Sequence, residues 1–223
     1  MFAAASTAIV GAAAAGATSI IRTGVAYNSL EQSARAAFKT ILGSSKAADS
    51  MMNKIAEFGK TSPFPRQAFI QGTQQMLAFG IEAKKVIPYL GGIQDAVAAA
   101  GGSEADLRGI ITTMSKIQSA SKITAGDLHE FGNRGINAAD LIGSQMGKTG
   151  AEIRTAISKG SLDATEALDA LVAGMNKKFG GAAENIKKTF PGAIDRVKGA
   201  WRDLSSALIE PFVSKGGGGI AVA

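Results

Sequence analysis

The side chains able to do chemistry are few, and they begin with one histidine. His129 stands in Asp127-Leu128-His129-Glu130. A histidine works as a general base when a carboxylate orients it next to a nucleophile. Here both neighbouring acids lie within one helical turn, and Asp127 is claimed by a capping box with Thr124. The chain has no cysteine and no glycine-flanked serine elbow. One histidine without thiolates also leaves a zinc site short of ligands. No catalytic, cofactor-binding or metal-ligating residue is therefore assigned, no cofactor is expected, and the chain reads as a non-enzyme.

Two glycine-rich stretches invite a phosphate-loop reading, Gly132-Asn133-Arg134-Gly135 and Gly147-Lys148-Thr149-Gly150. The second matches only the final three positions of the nucleotide-binding loop and follows no strand signal. A helix stop followed by a cap explains it better. Residues 140–158 form a sharper alternative, a helix-turn-helix with Asp140 to Met146, the glycine turn, then Ala151 to Ser158. A helix that reads bases should present Arg, Asn or Gln to their edges. This one offers only Arg154 and Glu152 near its start.

The elements that position these residues are helical. Hydrophobic residues make up 46% of the 223, but aromatics only 6%, because alanine supplies most of the apolar count. Alanine buries little area per contact, which favours thin helical assemblies over an aromatic-rich core. The net charge of +6 is scattered in single residues and pairs, such as Lys84-Lys85 and Lys177-Lys178, so it reads as solvated faces. Met1 to Ile21 carries no charged side chain. It lacks the basic start of a signal peptide, and its alanine and glycine suit helix association better than membrane insertion. A membrane-active helical protein stays open as an alternative on this segment alone.

Met1 to about Leu42 reads as one long helix, stopped at Gly43-Ser44-Ser45, with Ser45 capping a second helix from Lys46 to Gly59. Thr61-Ser62-Pro63-Phe64-Pro65 is a rigid break. Pro65 suits the first turn of the next helix, which reaches Phe79 and stops at Gly80. Capping boxes start later helices at Ser103 with Asp106, Thr124 with Asp127 and Thr149 with Glu152, and Asp163 with Glu166 looks like a fourth start. Glycine stops are expected at Gly101-Gly102, Gly132, Gly147, Gly160 and Gly180-Gly181. From Ala182 to about Phe212 the pattern suggests two helices, or one kinked at Pro191-Gly192. The fold class is all-α, a multi-helical array of short to medium helices with a long N-terminal helix. Both ends look cut, so a longer natural polypeptide is expected.

In this order the motifs resemble the tape measure domain of the tail tape measure proteins of long-tailed bacteriophages. The carrying segments are YNSLEQSARAAFKTILGS at 27–44, KIAEFGKTSPFP at 54–65, LAFGIEAKKVIPYLGGIQDAVAAAGG at 77–102 and the run from Ser121 to Ala182. Asn137 departs from the pattern, where many such domains place proline. The resemblance implies an apolar helix at 1–26 that associates or meets membrane, a helical tape measure domain at 27–208, and a glycine-rich tail or linker at 209–223. It implies a structural tail protein whose length sets that of the tail tube, which occupies the tail lumen and is released when DNA is ejected. The implied partners are the tail tube protein, tail tip or baseplate proteins, tail assembly chaperones, further copies of the chain, and the host membrane during ejection. No sequence-specific nucleic acid is among them. The implied locations are the virion and, during assembly, the host cytoplasm.

Overall fold

The computed structural model describes residues 27–188, and the elements there are helices joined by short turns. In chain order they are α1 (27–42), α2 (Ser45–Thr61), α3 (Arg66–Ala78), α4 (Ala83–Ala99), α5 (Glu104–Ala120), α6 (Ala125–Gly132), α7 (Ala138–Met146), α8 (Gly150–Ser158), α9 (Ala164–Phe179) and α10 (Ala182–Lys187). The only extended pairing among the described residues is a single bridge between Lys122 and Asp163. The all-α expectation holds.

The long N-terminal helix from Met1 is not borne out. Helix is described over 27–42, where Gly43 at φ 75° breaks it. Residues 1–26, with the apolar stretch, and residues 189–223, with the Pro191-Gly192 kink and the glycine-rich tail, lie outside the described residues.

The chain divides into two compact units, Met1–Ser33 with Arg196–Ala223, and Ala34–Asp195. Of the first, only 27–33 are described, all in α1. The second carries everything that follows.

Local chemistry sets most helix starts. At α5, α6 and α8 the Ser103, Thr124 and Thr149 side chains accept from the third helical N–H, while Asp106, Asp127 and Glu152 reach back to the cap N–H. Each box satisfies backbone donors that a helix start otherwise leaves orphaned. Asp163 caps α9 by accepting from the Glu166 N–H. Asn137 caps α7, accepting from the Asp140 N–H at 3.4 Å, so the departure at that position still starts a helix. The cap of α2 is Ser44 and not Ser45, because it is the Ser44 hydroxyl that reaches the Ala47 N–H.

Gly147 ends α7 in the left-handed region at φ 65°, as expected. Gly132 does not stop its helix. It is the last residue of α6, and the left-handed turn falls on Gly135 at φ 75°.

Inside the second unit α4 packs on α9, α7 on both α8 and α9, and α3 on α5. Helices α4 and α9 run the same way. Lys85 and Tyr89 meet Asp169, Gly92 faces Val172 and Asn176, and Asp95 meets Gly181 and Ala183. The largest fully buried side chains include Phe38, Phe69, Phe131, Met52, Leu90 and Ile110. Phe58 and Phe69 make an edge-to-face contact with ring centroids 4.9 Å apart. Isoleucine, leucine and methionine thus fill most of a core that composition alone made look alanine-lined, while alanine and glycine sit where backbones meet.

Candidate functional site

Each residue singled out for chemistry is exposed or already engaged. His129 is exposed on α6, on the rim of a shallow groove with Leu128, Ile136, Ile157 and Arg154. Its neighbour Asp127 accepts from the Thr124 backbone N–H and hydroxyl at 2.8 and 2.7 Å. Glu130 accepts from Arg134 at 2.8 Å, and that hydrogen bond first, then the guanidinium charge, holds its carboxyl below the usual range. No cluster of three or more potential metal ligands occurs among the described residues.

Neither glycine-rich stretch forms a phosphate cradle. In Gly147-Lys148-Thr149-Gly150, Glu152 accepts from the Thr149 N–H and hydroxyl at 2.7 and 2.8 Å. A phosphate bound at a helix start needs free N–H groups and a positive field. Here a carboxylate occupies that place, and the backbone hydrogen bond from Thr149 keeps it ionised below the ordinary glutamate range. In the other stretch Arg134 turns inward. Its Nη1 donates to the Glu130 carbonyl at 2.7 Å, and a Cβ on Gly109 would lie 2.4 Å from its Nε. Gly109 is therefore the hollow in α5 that admits the guanidinium.

Residues 140–158 form two packed helices, α7 and α8, joined at the Gly147 turn. Helix α8 buries Gly150, Ile153 and Ile157 and exposes Ala151, Glu152, Arg154, Thr155 and Ser158. One arginine beside a glutamate on a face of small residues gives little for base edges or phosphates to meet.

What the fold does bring together is a set of inter-helix ties. Across α4 and α9, Tyr89 donates to Asp169 at 2.6 Å and Lys85 donates to the other carboxylate oxygen at 2.7 Å. Burial pushes the Asp169 carboxyl up, but the hydrogen bonds from Lys85 and Tyr89 and the lysine charge outweigh it, and it ends below its usual range. Burial first, and then the same carboxylate, drives the Tyr89 hydroxyl far above the ordinary phenol. Across α3 and α5, Arg108 donates to Gln71, and Glu104 on its own helix accepts from the same guanidinium. Backbones approach closely at Gly174 and Gly143, and a side chain closes on Gly150. A Cβ on Gly174 would lie 2.7 Å from the Leu141 carbonyl oxygen, one on Gly143 2.4 Å from the Lys148 carbonyl oxygen, and one on Gly150 1.8 Å from Asp140 Oδ1. The polar chemistry of this unit is spent on holding helices in register. Sequence reading missed these ties because their partners are far apart in the chain. The Lys85–Tyr89 spacing, one helical turn on one face, was the available local signal.

Comparison with known proteins agrees with a structural role. A family model described as tape measure protein matches residues 18–210. The Mu-like prophage FluMu protein gp42 of Haemophilus influenzae is 26% identical over 208 residues, which cover 89% of this chain and 31% of that protein. The chain thus spans about a third of the length of this curated relative. No solved structure matches.

Proposed function

From the premise that this chain belongs to the tape measure protein family, whose model matches residues 18–210, we propose that it is a folded, non-catalytic part of a phage tail ruler. In this reading the whole protein templates tail tube length during assembly, lies in the tail lumen of the virion and leaves when DNA is ejected. It is made in the host cytoplasm. Its partners are the tail tube protein, tip or baseplate proteins, assembly chaperones and further copies of itself, with the host membrane met at ejection.

The observation that carries the reading is the family match over most of the chain. Two features of the fold support it. The titratable groups singled out for catalysis cap helices, pair with neighbours or stand alone on the surface, so the unit is organised for holding shape. A ruler also needs a fixed rise per residue, and helices supply one, about 1.5 Å.

The test is tail length. In-frame deletions and duplications of known helical length, made in the gene that encodes this chain, should shift tail length in electron micrographs by a constant increment per residue. Tails of unchanged length across such a series would overturn the ruler mechanism.

A further inference from the structure

The groove beside His129 is built from three short helices, and the charge on its walls has one sign. It encloses about 640 Å³ between α6 and α8, over the turn that leads into α7. Ile136 and Ile157 are buried beneath it, while Leu128 and Ala125 keep apolar surface in reach of solvent. Two ionisable side chains line it, His129 from α6 and Arg154 from α8, and no carboxylate does.

Neither of the two is in use. Among the described residues, the His129 and Arg154 side chains enter no hydrogen bond and no ion pair. The acids around them are already taken, Asp127 by Thr124, Glu130 by Arg134, Asp140 by Asn137 and Glu152 by Thr149. An imidazole N–H and a guanidinium both donate to carboxylate oxygens, the guanidinium through two parallel bonds. The apolar floor would take an aliphatic side chain out of water beside that carboxylate, at about 25 cal/mol per Å².

This combination selects among occupants. Nucleic acid would meet one fixed cation over an apolar floor, where its binding needs a row of phosphate contacts. A second copy would have to supply a free carboxylate. On the described surface these are held by caps, cross-helix ties or Lys and Arg side chains, Glu166 apart. An acidic segment of another protein meets both demands.

We propose that the groove between α6 and α8 docks an acidic segment of a partner protein, its carboxylate held between His129 and Arg154 and a neighbouring aliphatic side chain seated on Leu128. The inference concerns this surface alone and stands whether or not the ruler reading holds.

Selection of a displayed random peptide library on the full chain tests it, followed by fluorescence anisotropy with a selected peptide. The selected sequences should place Asp or Glu beside Leu, Ile or Phe. Arg154→Glu should weaken binding by about tenfold or more, since it sets a like charge against the carboxylate. Leu128→Ala should weaken it by a smaller factor. Lys177→Glu on α9, which does not line the groove, makes the same reversal of charge and should leave affinity unchanged. Arg154 and Lys177 are both exposed, so the circular dichroism of each variant should match the wild type, and His129→Glu repeats the test if Arg154→Glu does not fold. Selected peptides without acidic residues, the absence of any selected peptide, or equal losses in Arg154→Glu and Lys177→Glu would overturn the proposal. So would self-association of the chain that Arg154→Glu abolishes, which would give the groove to a second copy, or displacement of the peptide by duplex DNA.

Discussion

The Tyr89 hydroxyl on α4 and the Asp169 carboxylate on α9 meet at 2.6 Å, eighty positions apart in the chain. Tyr89 is buried to 3% exposure, so without that acceptor its hydroxyl would sit in an apolar seam. An orphaned buried polar group costs more than the net worth of the bond it lost. Asp169→Ala should therefore destabilise the fold by about 1–2 kcal/mol, the half-exposed carboxylate keeping the figure at the low end. Tyr89→Phe should cost less, about 1 kcal/mol, because Asp169 can turn to water and keep Lys85. Urea denaturation of the two variants checks this; no loss of stability in either would mean that the tyrosine ring and not the tie holds the seam.

Acid should unfold this protein by way of its caps and ties. Backbone donors at Ser103 and Thr149 hold Asp106 and Glu152 below their ordinary values, Arg134 does so for Glu130 and Lys84 for Glu82. At Asp169 burial acts upward but is outweighed by Lys85 and Tyr89. A carboxylate depressed in the folded state binds fewer protons there than in the unfolded chain. Its contribution is complete above the unfolded value, near 4, and fades as pH falls through the lower folded one. The urea midpoint should hold steady from about pH 7 to 5 and drop between about pH 4 and 2. A midpoint that stayed level to pH 2 would show that these contacts contribute nothing to stability.

Removing a capping hydroxyl should act alike at separate sites. Ser103→Ala, Thr124→Ala and Thr149→Ala each delete the side chain that accepts from the third helical N–H. Each should cost about 1 kcal/mol. The double variant of Thr124 and Thr149 should cost close to the sum, since the two boxes share no partner. Thermal or urea unfolding measures both, and a strongly non-additive pair would mean that α6 and α8 form as one unit.

These boxes were legible in the sequence because their chemistry is local: hydroxyl, two residues, carboxylate. Their partners lie within one turn, so spacing alone names them. Adjacent identical residues blur that reading, as at Ser44 and Ser45, where only the built backbone decides which hydroxyl faces the Ala47 N–H. Glycine order along the chain named the stop at Gly147 but misplaced the one at Gly132, since nothing local tells a last helical glycine from a left-handed one three residues on. Pro88 sits inside α4 although proline usually breaks a helix. It lies in the second turn on the exposed side, where the Lys84 carbonyl that loses its donor can turn to water. The ties through Asp95 and Gly174 were not legible, and that through Asp169 left only the Lys85–Tyr89 spacing as a local sign. They arise where distant segments are brought together by burial, and no spacing encodes that.

Gly174 and Gly132 offer a paired test of how tightly the helices of the second unit are seated. Both are helical, so replacing either by alanine should by propensity alone gain up to about 1 kcal/mol. At Gly132 nothing lies within 4 Å of an added Cβ, and Gly132→Ala should show that gain. At Gly174 the added carbon would meet the Leu141 carbonyl oxygen at 2.7 Å and the Leu141 Cβ at 3.0 Å. The nearest atom is backbone of α7, so relief requires α7 and α9 to move apart rather than a side chain to rotate. Overpacking of this kind costs about 1–3 kcal/mol, which exceeds the propensity gain. Gly174→Ala should thus lower the urea midpoint while Gly132→Ala raises it. Equal stabilisation of both would mean that α7 and α9 can separate at no cost, and the α7–α9 seam would no longer count among the contacts that hold this unit together.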